Sequence, residues 1–317
     1  MQFRTQIPFK KQQHNQIDYS SKILLLGSCF TKNIGDKLNY FKFPTTVNPF
    51  GILFHPKAIE NLILNAINEK EYSEENIFFH NEQWHSFEAH SKLSNPSKRV
   101  LLKDLDDANK LTHQQIQKST HIIITLGTAW IYRFIESDTI VANCHKIPQK
   151  KFLKELLTVD EISESLKAII ALIRSVNKSV SILFTISPVR HLKDGFIENQ
   201  QSKSHLITAI HQVVEPRNNV FYFPSYEIMM DELRDYRFYN EDMVHPNQTA
   251  IDYIWEKFRQ TWMSDNTIQL MEEIDSIQKG LAHRPFHPNS EQHQEFLKNI
   301  TTKIKGVQLK FPKIDFN

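Results

Sequence analysis

Glycine is scarce in this sequence, at 7 residues in 317, where ordinary usage of about 7% would give some three times more. Each glycine therefore raises a question of backbone geometry, and Gly27, Gly51 and Gly127 stand beside polar residues that could do chemistry. Cysteine is scarcer still. Cys29 and Cys144 are the two present, too few for a disulfide framework. No segment approaches the roughly 18 consecutive apolar residues of a membrane helix, so no membrane span is expected. The stretch MQFRTQIPFKKQQHNQ lacks the apolar core and small-residue cleavage site of a secretory signal. A cytoplasmic location with reduced thiols is the expectation. No charge dominates: 38 basic residues face 36 acidic ones, a formal net charge of +2. That balance speaks against a nucleic-acid or membrane-surface partner.

Several catalytic signatures are missing as well. No G-x-S-x-G occurs, which removes the nucleophile elbow of α/β-hydrolases. No H-E-x-x-H or C-x-x-C occurs, which removes two common zinc sites. The glycine-rich loops that cradle nucleotide phosphates are absent too, and neither a cofactor nor a metal is expected.

Apolar residues make up 40% and charged residues 23% of the chain, ordinary for a protein with a sizeable core. Four nearly continuous apolar runs stand out: Lys22–Phe30, His121–Tyr132, Ser179–His191 and Asn218–Met229. Runs rich in Ile, Leu, Val and Phe that do not alternate suit strands buried on both faces of a parallel sheet. The segment Phe43–Gly51 is a weaker fifth candidate, demoted to an edge or loop by its two prolines. Helical spacing fills the intervals over Pro56–Asn68, Asp104–Lys118, Val159–Ser175, Ser202–Val214 and Asn247–Trp262. Alternating strand and helix predicts a three-layer α/β/α, flavodoxin-like architecture with a mainly parallel sheet. Two further helices, Thr267–Leu281 and Glu291–Ile304, read as a C-terminal helical appendage over 266–317 on a single domain whose core spans about 20–265.

In such a sheet, ligands sit beyond the carboxyl ends of the strands. Those ends carry Gly27-Ser28, Gly127-Thr128 and Ser187-Pro188-Val189-Arg190-His191. Ser28 lies at a strand-to-helix turn, where a hydroxyl reaches the crevice and the helix start stabilises an anion; the same position also suits a plain helix cap. A nucleophilic serine needs a base, and the base needs a carboxylate to hold it. Asp242 and His245 lie three residues apart, within local reach of each other. Pro246 restrains His245 to an extended backbone, and Asn247 is placed to cap the following helix. An ordinary surface loop is the competing account of this motif. Arg190 and His191 are candidates for binding an anionic part of a substrate, or for a structural ion pair or cap. Trp84, His85, Ser86 and His90 fall in an expected loop, QWHSFEAHS, that either lines a subsite or merely packs. The spacing of His85 and His90 suits metal binding poorly. Cys29 reads as a small buried hydrophobe rather than a second nucleophile.

A serine just after the first strand with D-x-x-H near the end resembles the layout of SGNH (GDSL-type) hydrolases. More narrowly, Gly27-Ser28-Cys29-Phe30, Asn48-Pro49-Phe50-Gly51, Gly127-Thr128-Ala129-Trp130, Asn143-Cys144-His145-Lys146, Ser187–His191 and Asp242–Pro246 together resemble the bacterial GSCFA-domain family. The resemblance covers residues 20 to 265, and HRPFHPNSEQH carries it further; Thr31 departs from the name-giving motif. It implies an SGNH-like fold with Ser28 as nucleophile, Asp242 as carboxylate and His245 as base. It also implies an oxyanion hole built from the N–H groups of Ser28 and Gly51. The asparagine that SGNH enzymes add to that hole falls on Ala129, so Thr128 or Asn143 is left to replace it. The implied activity is ester hydrolysis or acyl transfer on a small acyl ester or acylated glycan. The alternative is a catalytically weak module that binds a glycan or a protein partner. Oligomeric state is not legible in the sequence.

Overall fold

The computed structural model describes residues 5–316. Strands β1 (Ile23–Gly27), β5 (His121–Leu126) and β9 (Ser181–Ile186) bury every residue. A strand buried on both faces needs neighbours on each edge for its backbone polar groups. Accordingly β1 pairs in parallel with β5 from Ile23↔His121 to Gly27↔Thr125, and β5 pairs in parallel with β9. Short β2 (Thr45–Val47), preceded by Pro44, and β10 (Val220–Phe223) form the two edges, giving the order β10-β9-β5-β1-β2. This is the flavodoxin-like order, which reverses direction between β1 and β5.

Alternation along the strands divides the core between two helical layers. Leu24, Leu26, Ile122, Ile124, Ile182 and Phe184 face α2 (Pro56–Ile67), α3 (Lys98–Lys118), α4 (Val159–Val176) and α5 (Phe196–Val213). Ile23, Leu25, Ile123, Leu183, Phe221 and Phe223 face α1 (Cys29–Tyr40) and α7 (Gln248–Trp262). The fold is thus mixed α/β with a five-stranded parallel sheet between helices, as the alternating pattern requires. After β10, a single turn α6 (Ser225–Glu227) runs into a π-helical segment, Ile228–Glu232.

Two small sheets lie outside this frame and were not expected. The hairpin of β3 (Phe78–His80) and β4 (Gln83–His85) closes through Asn81 and Glu82, both left-handed, as a tight two-residue hairpin turn requires. Trp84 and His85 therefore sit on a strand rather than in a loop. β6 (Trp130–Phe134), β7 (Thr139–Val141) and β8 (Phe152–Leu156) form an antiparallel sheet in the order β7-β6-β8. The apolar run His121–Tyr132 is consequently two strands. It breaks where the N–H groups of Gly127 and Thr128 both turn to the Phe54 carbonyl, at 2.7 and 3.3 Å.

Helices α3 and α5 start six residues earlier than their apolar spacing indicates, and α9 (Glu291–Lys310) runs to Lys310. Ser97 caps α3, a start signal that outweighs the weak periodicity of its first turns. α8 (Asp265–Ala282) and α9 pack around Leu270, Ile274, Ile277, Ile300 and Val307. Tyr40 ties this hairpin to α1, its hydroxyl donating to Asp275 at 2.8 Å and its carbonyl accepting from Gln278 at 3.0 Å.

Candidate active site

The turn out of β1 admits only glycine before the serine. Gly27 has φ +134°, and a β-carbon there would sit 2.2 Å from the Thr125 carbonyl oxygen. Ser28 follows at the switch point between β1 and β5, where such sheets place their ligands. It is 1% exposed and opens α1, its Oγ accepting from the Phe30 N–H at 3.3 Å. Its own N–H donates to the Thr125 carbonyl at 3.1 Å. Among the described residues no hydrogen bond joins Ser28 Oγ to His245.

Asp242 and His245 form a preorganised pair at the crevice rim. Asp242 Oδ2 lies 2.7 Å from His245 Nδ1, while its Oδ1 accepts from the N–H groups of Val244 and His245 at 2.8 and 2.9 Å. Those backbone donors, reinforced by the imidazole, hold the Asp242 carboxyl down to about 2. An ionised carboxylate can only accept, so Nδ1 carries a proton, and in the neutral ring the lone pair then falls on Nε2. The turn is tight: Met243 takes a left-handed conformation with φ 55°. Both side chains are about half exposed. Asn247 then caps α7 through the Ala250 N–H, as its place after the motif suggests.

Arg190 binds this turn. Its guanidinium donates to the Met243 carbonyl and lies over the Tyr239 ring at 4.6 Å, and its backbone N–H donates to the Val244 carbonyl at 3.2 Å. The side chain expected to meet an anion is thus engaged with the loop that presents His245. His191 packs its ring on Phe54, with centroids 5.6 Å apart, and leaves a buried Nε2 without a partner. Burial, with the charges of Lys203 and His245 nearby, pushes its pKa down to about 3; the ring is neutral.

Lys203 was not singled out by the sequence and lies beneath the crevice with no exposure. Its ammonium donates to the carbonyls of Gly127 and Ser187 at 2.7 and 2.8 Å, joining the ends of β5 and β9. Burial lowers its pKa to about 7. The signal that marks it is positional: it shares a buried helix face with Asn199, Ser202, Leu206 and Ile210, where an unpaired lysine is costly. Burial also raises the Cys29 thiol, so this cysteine is a neutral neighbour of the serine.

The backbone donors expected to hold an oxyanion are committed internally. The Gly51 N–H donates to the Asn48 carbonyl at 2.8 Å. Gly51 itself has φ +76°, and a β-carbon there would meet His90 at 2.4 Å, so His90 is packed against the NPFG turn. The Thr128 hydroxyl lies 2.9 Å from Ser202 Oγ and accepts from the Trp130 N–H at 3.0 Å. Asn143 Oδ1 accepts from the His145 N–H at 2.9 Å. No hydrogen bond links Thr128 or Asn143 to Ser28. Trp84 lies under Lys98 at 5.0 Å. His85 is buried, and its nitrogens meet Ser94 Oγ and the His80 carbonyl at 2.6 and 2.9 Å. Trp84 and His85 therefore fasten the β3-β4 hairpin within itself and to the segment that leads into α3. Among the described residues no three His, Cys, Asp or Glu side chains converge as a metal-binding group, and no helix is long and apolar enough to cross a membrane.

Residues 22–258 match the GSCFA family, and residues 274–317 match the C-terminal domain of GSCFA domain proteins. The comparison with curated proteins returns no match. Among solved structures, the chain resembles a carbohydrate esterase family 3 protein from Talaromyces cellulolyticus. Identity is 10% and the TM-score 0.36, over 80% of this chain and 99% of that one. On the match over residues 22–258, the chain belongs to the GSCFA family.

Proposed function

We propose that this GSCFA-family protein is an SGNH-type serine esterase or acyltransferase that works through an acyl-Ser28 intermediate. The observation that carries the reading is the Asp242–His245 pair, 2.7 Å apart with Nδ1 protonated and Nε2 without a hydrogen-bond partner among the described residues. The two backbone donors to Asp242 form an ordinary Asx turn, but the third bond, to His245 Nδ1, is the one a base catalyst needs to hold its imidazole in one tautomer. The pair stands on a turn bound by Arg190, one residue from His191 at the crevice.

In this mechanism, Ser28 leaves its capping bond to Phe30. Its proton passes to His245 Nε2 as Oγ bonds to the acyl carbon. The tetrahedral intermediate collapses, the bond to the leaving alcohol breaks, and that alkoxide takes the proton back from Nε2. Water or an acceptor hydroxyl repeats the sequence on the acyl-enzyme, which makes hydrolysis and transfer two outcomes of one intermediate. Catalytic hydrogen bonds commonly tighten only once substrate is bound, which accommodates the capped Ser28. An O-acylated carbohydrate is the substrate class we favour, and the residues assigned here require no cofactor.

One observation favours a second reading, a module that binds a glycan or protein partner without turnover. Ser28 already performs the task of a helix cap, with its hydroxyl buried. Labelling with a fluorophosphonate separates the two. The esterase reading requires an adduct that maps to Ser28 and is lost in Ser28→Ala and His245→Ala. A folded protein that neither labels nor cleaves simple acetyl esters belongs to the second reading.

A further inference from the structure

The serine reading leaves a tetrahedral oxyanion with no obvious host, because the N–H groups of Ser28, Gly51 and Thr128 all donate to carbonyls and Ala129 has no side-chain donor. Near Ser28, the Asn48 side chain carries a donor group that internal bonding does not consume. Asn48 directly follows β2 and takes the left-handed conformation, φ 46°, immediately before Pro49. A non-glycine residue adopts that conformation rarely and only where its surroundings enforce it. Three hydrogen bonds do so here. The Asn48 N–H donates to the Leu25 carbonyl at 2.9 Å, its carbonyl accepts from Gly51, and its Oδ1 accepts from the Gly27 N–H at 2.8 Å.

The last bond decides which way the amide faces. The Gly27 N–H can only donate, so the atom that meets it is the oxygen. Nδ2, on the other corner of the same planar group, makes no hydrogen bond among the described residues, while the amide oxygen is held by the residue before Ser28. The residue is partly exposed, and its Nδ2 is not among the buried polar atoms left without a partner, so this donor is not stranded in the core. The structural duties of Asn48 account for its conformation and its oxygen. An aspartate would meet both as well, since Asp also tolerates the left-handed region. They do not account for the NH2.

We propose that the Asn48 side-chain amide is a catalytic residue that donates to the oxyanion, taking the role that an asparagine at position 129 has in SGNH enzymes. The inference rests on the acyl-Ser28 reading. Held by Gly27, the amide is preorganised by the same strand end that carries the nucleophile, and such donors contribute most when they need no rearrangement.

The test uses the full chain with p-nitrophenyl acetate and a fluorophosphonate. Wild-type labelling at Ser28, lost in Ser28→Ala, is measured first. Asn48→Asp keeps the acceptor for Gly27 and the backbone conformation but removes the donor. It is expected to keep the wild-type melting temperature and KM and to lose about 100- to 1,000-fold in kcat. Affinity for a boronic acid that mimics the tetrahedral adduct is expected to fall in parallel. Asn48→Gly, which carries no charge and accepts the left-handed conformation, is expected to show the same kcat loss. It also serves if the aspartate variant does not fold. Wild-type kcat in either folded variant overturns the Asn48 assignment and leaves the Ser28 reading standing. Absence of Ser28 labelling and of turnover in the wild type removes both.

Discussion

The ammonium of Lys203 donates to the Gly127 carbonyl at 2.7 Å from a side chain with no exposure. With its second bond, to Ser187 at 2.8 Å, it fastens together the two strand ends that floor the crevice. Replacement by methionine removes the charge but orphans two buried carbonyls, at about 1–3 kcal/mol each. Because burial depresses the folded pKa to about 7, the unfolded chain binds one more proton between that value and the ordinary 10.5. Stability then rises with pH across the window. Urea unfolding should show wild type gaining on Lys203→Met from pH 7 to pH 10, and a constant gap would argue that the ammonium is hydrated.

Arg190 engages the His245 loop, and if that is its task its loss should be blind to substrate charge. Arg190→Ala is expected to lower kcat by about 10- to 100-fold, the scale of a small misplacement of a catalytic group. The fall should be equal for neutral and anionic acyl esters. A loss confined to anionic esters would return Arg190 to the substrate-binding role suggested by its place at the end of β9.

Both cysteines are held as thiols. Burial raises Cys29 and pushes Cys144 up to about 11, and thiols rather than thiolates react slowly. Iodoacetamide at pH 7.5 is expected to modify neither within an hour and to leave esterase activity intact. Rapid inactivation with alkylation at Cys29 would instead point to a thiolate beside Ser28.

Acid should unfold the protein through histidines that are buried neutral. His55 accepts from the Ala58 N–H to cap α2 and meets the Val141 carbonyl at 3.0 Å. Burial lowers its pKa to about 4, as it does for His145, while His191 falls to about 3. In the unfolded chain these rings protonate near 6.5, so the unfolded state binds more protons below that value. Stability contributed by neutral burial is complete above pH 6.5 and declines toward pH 4, by about 3 kcal/mol for fully buried His55. Urea midpoints at pH 7 and 4.5 measure this, and His55→Asn should show a shallower decline.

The strands of the central sheet were legible because each is a closed apolar run, and their parallel pairing followed from burial on both faces. Only β2, flanked by Pro44 and Pro49, was weak, and it is an edge strand. The hairpin β3-β4 and the sheet β7-β6-β8 escaped notice. Their residues are mixed in polarity and half exposed, so no periodicity announces them.

Within the site, the division follows the range of the interactions. Asp242 and His245 meet across a single turn, and the helix opened by Ser28 is signalled by its own residues, so the sequence alone determined these local arrangements. The Arg190 hold on Met243, the burial of Lys203 beneath Gly127, and the commitment of the Ser28, Gly51 and Thr128 N–H groups all depend on partners remote in the chain or on the turn each residue adopts. Those were decided by tertiary structure, because a backbone N–H has one hydrogen to give and a buried charged side chain a few, and only the folded chain determines which acceptors reach them.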